Sequence, residues 1–384
     1  MMLLFDLRAT QPNSSGKRHG GGRYGEVIFF RMAEMGLKFQ CFYDSSLWFS
    51  PDVKAVIEKN NIPLIDCHNR SLQSIVDENK FDRVYSCCAL RSDVAYLKNC
   101  EVYITVHDTR RFQLTVDPCF WDYKNSYKTK LKYLVKSLFP KTFEEKMKSD
   151  FRKLHIDTKL KINTVSDHSK YSFPCFLPEL KDVDIPAFYS PSTSDYVDMQ
   201  GVSTSESKAM GKYFLSVSGN RWEKNNARGI KAFDKLIDCG LIKDVRYKVT
   251  GAKRDNFRFK IKHPEAYDFL GYVSDQELEQ LYQNAYLFVY PALNEGFGYP
   301  PLEAMRYKVP VIASPISSMA EILDSGALFF NPFSVEEIMN RMLMMMEPER
   351  HREFSERGYR QYLKISERQR RDLDGVIDYI LSEN

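Results

Sequence analysis

The chain has 384 residues, 43% of them hydrophobic and 28% charged, with a net charge of +4. That composition excludes a disordered chain, and so small a charge does not argue for nucleic acid. The length exceeds one ordinary core and predicts two domains of about 150–200 residues each.

Met1-Met-Leu-Leu-Phe5 meets Asp6 too soon for a signal sequence, and no apolar run reaches the roughly 18–20 residues that span a bilayer. The eight cysteines form neither a C-x-x-C pair nor a paired metal spacing, which predicts reduced thiols in a cytoplasmic protein. Cys87 and Cys88 are expected on a strand, facing opposite ways.

In chain order, Met2–Leu7 reads as a strand and Tyr24–Met35 as an apolar-faced helix. Lys38–Tyr43, Ile62–Ile65, Arg83–Cys87 and Val102–Val106 follow as short apolar strands with polar or helical segments between them. This alternation predicts a parallel sheet wound with helices. Pro191–Lys208 is rich in Ser, Thr and Asp and reads as part of a linker. Alternation then resumes: strand Phe214–Val217, helix Ala227–Ile237, strand Val245–Thr250, strand Leu287–Tyr290. Ser274-Asp-Gln-Glu277 and Ser334-Val-Glu-Glu337 read as capping boxes. The Met-rich run Met339–Met346 predicts a core-facing helix, and Ser366–Asn384 a last helix. The expected fold class is α/β, with two doubly wound domains and a cleft between them. The expected boundaries are 1–190, a linker at 191–210, and 211–365, with 366–384 packing back on the first domain.

The most informative stretch is Glu295-Gly-Phe-Gly-Tyr-Pro-Pro-Leu-Glu303, after the apolar run Tyr286–Pro291. It places Glu295 on a loop at a strand's C-terminal end and Glu303 in the first turn of the next helix. In open α/β sheets ligands bind in that crevice. Helix-start amides, with Gly296 and Gly298 beside them, suit nucleotide phosphates, and a carboxylate there can accept sugar hydroxyls. The plainer alternative is that acidic residues favour helix first turns for the macrodipole alone.

Ser218-Gly-Asn-Arg-Trp-Glu-Lys-Asn225 ends another strand and sets Arg221 and Lys224 before a helix, a pair able to hold a diphosphate. Gly16-Lys-Arg-His-Gly-Gly-Gly-Arg-Tyr24 forms a glycine loop between the first strand and helix that is not a dinucleotide fingerprint. His107-Asp108 ends the Val102–Val106 strand, where His107 could bond a substrate hydroxyl and Asp108 orient an acceptor. Ser166 reads as a cap or turn. Asp182-Val-Asp184 and Asp372-Leu-Asp374 are discounted as metal-binding D-x-D triplets because neither follows an apolar strand.

Together these residues resemble the retaining GT-B glycosyltransferases of family 4 (glycosyl transferases group 1). The resemblance is strongest from Phe214 to Pro332. It runs through Gly219, Arg221, Lys224-Asn225, Phe269-Leu-Gly-Tyr-Val-Ser-Asp275, Asn294–Met305, Val309–Ser314, Glu321 and Gly326–Pro332. In the N-terminal half it is carried by the glycine loop, His107-Asp108 and Thr164-Val-Ser166. It implies a GT-B architecture of two Rossmann-like domains facing across a cleft. It further implies transfer, with retention, of a hexose from a UDP- or GDP-linked donor to a glycan or lipid-linked acceptor in polysaccharide or glycolipid assembly.

By the resemblance, Glu303 binds the ribose and the backbone around Tyr272 and Val273 meets the base. Arg221 and Lys224 neutralise the diphosphate, and Gly219 belongs to the same turn. Glu295 and Gly296, Phe297, Gly298 and Tyr299 hold the sugar and its phosphate. His107 contacts a donor hydroxyl, Gly21 and Gly22 close over the diphosphate, and Asp108 and Tyr24 meet the acceptor. Arg and Lys stand in for a divalent ion, so neither metal nor cofactor is expected. Here the arginine follows Asn220 instead of the glycine directly. A non-catalytic nucleotide-sugar-binding subunit is the alternative reading.

Between Lys124 and Lys153 lie ten basic and three acidic residues, interleaved with Tyr127, Tyr133, Leu134, Val135, Leu138 and Phe139. Such a segment, expected on the N-terminal domain, suits either an anionic membrane surface or a solvated helix packed on its own domain.

Overall fold

The structure is a computed structural model that describes residues 2–12, 19–88, 92–114, 116–156, 160–192 and 212–382. The expected linker, from residue 193 onward, and Gly16–Arg18 of the glycine loop lie outside those residues.

The chain divides into two compact units. The first comprises residues 1–112, 144–202 and 366–384, the second residues 113–143 and 203–365. The expected boundary near residue 190 is thus corrected for 113–143, whose Cys119, Phe120 and Tyr123 are buried in the core cluster of the second unit. The Lys124–Lys153 segment is accordingly not one feature of the N-terminal domain.

The first unit holds a six-stranded sheet: β1 (Leu3–Asp6), β2 (Gln40–Tyr43), β3 (Leu64–Asp66), β4 (Arg83–Ser86), β5 (Glu101–Val106) and β6 (Leu160–Thr164), ordered β3-β2-β1-β4-β5-β6. The second repeats the plan with β7 (Tyr213–Ser216), β8 (Arg246–Thr250), β9 (Tyr267–Gly271), β10 (Leu287–Tyr290), β11 (Val311–Ala313) and β12 (Ala327–Phe329), ordered β12-β11-β10-β7-β8-β9. Every pairing between these strands is parallel. The runs Leu-Leu-Phe-Asp, Tyr-Phe-Leu-Ser and Leu-Phe-Val-Tyr are buried throughout, as strands covered on both faces must be. Strand order reverses between β1 and β4 and again between β7 and β10, which creates a crevice at the carboxyl ends of each pair.

Several boundaries shift for local reasons. The first helix spans Gly20–Glu34, because the His19 ring accepts the Gly22 amide at 3.0 Å and caps it before the glycines. The expected glycine loop is therefore helix from Gly20 onward. The Ser274 capping box is complete, whereas at Ser334 only the hydroxyl half forms, Glu337 turning to the Asn331 amide. The last helix begins at Pro348 and runs to Leu381, and its end docks on the first unit. There Arg31 meets Asp374 at 2.8 Å and Arg83 donates to the Ile380 carbonyl at 2.7 Å. Asp372 accepts from Arg368 and from the Tyr189 amide, so the Asp372 and Asp374 pair serves packing.

Candidate functional site

In the second unit the site is built on the switch-point strands β7 and β10. Past β7 the chain turns at Ser218-Gly219, and the Gly219 amide donates to the Thr250 carbonyl at 2.8 Å. A Cβ at Gly219 would lie 2.6 Å from Val249 and 2.7 Å from Ala252, so close packing of this turn on β8 requires the glycine. A short 3-10 turn, Trp222–Lys224, then leads into the helix Asn226–Asp238. Two bonds tie this loop to the one after β10. The Leu293 amide donates to the Glu223 carbonyl at 2.8 Å, and the Asn225 side-chain amide donates to the Pro291 carbonyl at 3.0 Å.

The clamp sets Lys224 against Glu295. The ammonium ion-pairs with the Glu295 carboxylate and donates to the Tyr290 hydroxyl at 2.8 Å, while that hydroxyl donates to Glu295 at 2.8 Å. Lys224 and Glu295 side chains are 8% and 12% exposed, so the triangle sits largely out of water and the pair gains strength. Burial and the Glu295 charge push the Tyr290 phenol well up, so it stays a hydroxyl donor. Glu295 is fixed from behind, its amide donating to Ser317 at 2.8 Å and its carbonyl accepting from Ser318 at 3.0 Å. Arg221 forks onto Glu223 at 2.9 and 2.7 Å and lies 40% exposed beside the mouth.

The turn after Glu295 departs from expectation. The helix begins at Tyr299, with Pro300 and Pro301 in its first turn, so Glu303 is its fifth residue. The first-turn assignment of Glu303 is therefore corrected: proline suits the start of a helix because an N–H there has no intrahelical acceptor. The macrodipole explanation for this glutamate lapses with it. The same prolines remove two first-turn amides, since proline carries no N–H. Gly298 sits at φ +100°, and a Cβ there would lie 2.0 Å from the Met319 methyl, so both conformation and space demand glycine. Phe297 is buried, with its ring 5.6 Å from that of Tyr299. Tyr272, past β9, stands 86% exposed with Val273 half-buried beside it.

The first unit carries its own cluster at the ends of β1, β4 and β5. The His107 Nε2–H donates to the Cys87 carbonyl at 2.7 Å, an acceptor that fixes the tautomer. A Cβ on Gly21 would lie 2.7 Å from the Cys88 sulfur and 3.6 Å from His107 Nε2, so the first turn of the helix closes directly on both. Gly22 is held by the His19 cap. The expected strand placement of Cys87-Cys88 is corrected, because β4 ends at Ser86 and both follow it, the Cys87 thiol donating to the Gly21 carbonyl at 3.9 Å and the Cys88 thiol to the Ala9 carbonyl at 3.8 Å. The neighbouring Cys87 thiol and then His107 hold the Cys88 thiol well down although burial opposes it. Burial pulls the His107 imidazole down, but the Cys88 sulfur and the Cys87 carbonyl outweigh it and the net shift is upward.

Tyr24 packs its ring edge-on against His107 at 4.8 Å and is fully buried. The expected acceptor contact of Tyr24 is corrected: with no exposed surface it braces His107 instead. Asp108 accepts from the Arg110 amide at 3.1 Å and from its guanidinium at 2.9 Å. Ser166 caps the helix Asp167–Phe176 by accepting the Ser169 amide at 3.2 Å.

The sequence reading missed Tyr290, Ser317 and Cys88. Tyr290 carried one signal, a hydroxyl at the last position of an otherwise apolar strand run.

A family model described as Glycosyl transferases group 1 matches residues 203–361. Among characterised relatives, the O-antigen chain mannosyltransferase RfbU of Salmonella typhimurium is 36% identical over 134 residues, which cover 33% of this chain and 36% of that protein. The match thus spans about a third of the relative's length. Among solved structures, a glycosyltransferase from Rickettsia africae superposes with a TM-score of 0.66 at 15% identity over 100% of this chain and 99% of the other. Anabaena HepE in complex with UDP-glucose does so with a TM-score of 0.63 at 14% identity, covering 100% of both chains. Residues 203–361 thus resemble the glycosyl transferases group 1 family, and the fold of the chain is GT-B.

Proposed function

We propose that the protein is a retaining hexosyltransferase that moves a sugar from a nucleoside diphosphate to a glycan or lipid-linked acceptor in cell-surface polysaccharide assembly. The observation that carries this reading is the Lys224–Tyr290–Glu295 triangle on the switch-point strands, with Arg221 beside it. Lys224 and Arg221 supply two cations for a diphosphate, a carboxylate lies within reach of sugar hydroxyls, and the backbone of Gly296–Tyr299 adds N–H donors.

As the anomeric C–O bond breaks, negative charge grows on the leaving phosphate, and cations already in place stabilise it without reorganisation. The acceptor oxygen bonds to the anomeric carbon on the face the phosphate leaves, and its proton passes to a phosphate oxygen. Lys224 and Arg221 do the work a divalent ion would do, so transfer proceeds without added metal. Glu303 holds the ribose, Tyr272 and Val273 the base. In the first unit His107 is the residue for a donor hydroxyl, with Tyr24 packed edge-on against its ring. RfbU is an O-antigen chain mannosyltransferase, which favours mannose as the sugar and a glycan chain as the acceptor. HepE was captured with UDP-glucose, which leaves both bases to be tried.

Calorimetric titration of UDP and of GDP in EDTA, into wild type and Glu303→Gln, tests the site. One nucleotide should bind without metal and at least tenfold more weakly to the variant. Binding of neither nucleotide would sink the donor site and leave a non-catalytic scaffold as the better account.

A further inference from the structure

The helix Tyr127–Leu138 has no buried residue, although its apolar and basic residues are sorted by face. Tyr127, Leu131, Leu134 and Leu138 are spaced four, three and four residues apart and so share one face. They are 80%, 50%, 45% and 65% exposed, and Phe139 extends the row at 57%.

The opposite face is the one that holds the helix to its unit. Tyr133 stacks on Phe120 at 4.2 Å and accepts from the Trp222 indole at 3.3 Å, while Lys136 donates to the Leu114 carbonyl at 3.2 Å. A surface helix ordinarily turns its apolar stripe inward. This one is pinned by its polar and aromatic side with the stripe turned out.

At 100° per residue, Lys128 and Lys130 fall on either flank of that stripe, with Lys132 further round. Among the described residues none of the three meets a carboxylate. The next helix, Pro140–Ile156, behaves in the ordinary way, burying Phe151 5.3 Å from Phe173 and pairing Lys148 with Glu144 and Glu145.

We propose that the Tyr127–Phe139 stripe is a docking surface for an anionic lipid bilayer. Tyr127, Leu131, Leu134, Leu138 and Phe139 enter the headgroup–acyl boundary, while Lys128 and Lys130 meet lipid phosphates on both sides. Charge chooses this occupant. An apolar row flanked by unpaired ammonium groups fits a surface that offers hydrocarbon and negative charge together, whereas a second copy would set lysine against lysine. Among the described residues no helix is long and apolar enough to cross a membrane, so attachment here is to one face. The inference goes beyond the donor-site reading and does not depend on it.

Co-sedimentation of the full chain with phosphatidylglycerol and with phosphatidylcholine vesicles tests it. Wild type should bind the anionic vesicles, more weakly at high salt, and not the neutral ones. Leu131→Glu/Leu134→Glu and Lys128→Glu/Lys130→Glu should each lose at least tenfold in affinity. Leu131, Leu134 and Lys128 are exposed and Lys130 is half-buried; circular dichroism and nucleotide affinity are expected to stay as in wild type, which separates this result from failure of the donor site. The proposal is overturned by absent binding to anionic vesicles, by equal binding to neutral ones, or by affinity that both variants retain. Self-association that Leu131→Glu/Leu134→Glu abolishes, without vesicle binding, would give the stripe to a second copy.

Discussion

The ends of β7 and β10 and the ends of β1, β4 and β5 both carry polar side chains at a switch point, yet hold them by different means. In the second unit full charges of opposite sign, Lys224 and Glu295, close on each other, and each is fixed by further bonds from Tyr290 and Ser317. In the first unit a buried ion pair, Arg8 with Asp6 at 3.0 Å, lies at the end of β1, but the groups past β4 and β5 are of another kind. These are Cys88 and His107, whose charge depends on how each perturbs the other. Lys224 and Glu295 are charged by composition, Cys88 and His107 by arrangement. The first kind tolerates change of its surroundings and fails when a member is removed; the second is sensitive to any group that touches it.

The largest effects should come from breaking the first kind. Lys224→Met leaves the Glu295 carboxylate 12% exposed with its cation gone, and losing one partner of a buried pair costs about 3–5 kcal/mol. Denaturant unfolding should show that loss, and Lys224→Met/Glu295→Gln should recover much of it, because no lone charge is then left. Transfer should fall by roughly 10²–10³ in either variant, the usual effect of removing one preorganised donor to developing charge. A double variant no more stable than the single would show that the charges do not compensate each other.

Next in size is Gly298→Ala. A side chain at φ +100° meets strain of about 1–3 kcal/mol, added to its overlap with Met319. The melting temperature should fall and nucleotide affinity with it, since the Gly296–Tyr299 backbone moves. Gly219→Ala should also destabilise, through contact with Val249 and Ala252, at a φ that alanine accepts. If Gly298→Ala were neutral, the turn would be free to relax and could not be preorganised.

The second kind of cluster is probed by Cys88→Ser. With the sulfur's charge removed, the His107 titration followed by NMR should move down, since burial then acts with only the Cys87 carbonyl and Asp108 against it. The sign for stability follows. A histidine raised in the folded state contributes fully below its unfolded value of about 6.5, and that contribution is lost as pH rises through the folded value. A thiol held down contributes above its unfolded value of about 8.5, and that is lost as pH falls through the folded one. The groups facing His107 are Cys87, Cys88, Tyr24 and Asp108. An unmoved titration in Cys88→Ser would mean the pair is neutral.

The same contrast decides what could be read from the sequence. Strand alternation, the two-unit plan and the placement of Lys224 and Glu295 past the ends of strands were legible because a parallel strand is a continuous apolar run and its site residues follow it directly. The start of the helix at Gly20 was not, since three glycines read as loop until the His19 ring is seen to accept the Gly22 amide. Strands β9, β11 and β12 escaped as strands because β11 and β12 are three residues each and Asp268 interrupts the apolar run of β9. Tyr24 reads like any aromatic near a loop, and only its burial against His107 shows what it does. The outward stripe of Tyr127–Leu138 was visible as amphipathicity, but which face points to solvent is set by Tyr133 and Phe120, contacts that no periodicity encodes.

The smallest expected effect sharpens the comparison from outside both clusters. Tyr272 is 86% exposed, so Tyr272→Ala should leave stability within about 0.5 kcal/mol, as surface changes do. A base laid on its ring would lose stacking worth about 1–3 kcal/mol, a fall of roughly 5- to 150-fold in nucleotide affinity. Binding through the backbone alone, by contrast, would leave affinity nearly unchanged. Because stability is silent here, the affinity ratio reads the base contact directly. An unchanged ratio would move recognition of the base from the Tyr272 ring to its peptide groups and to Val273.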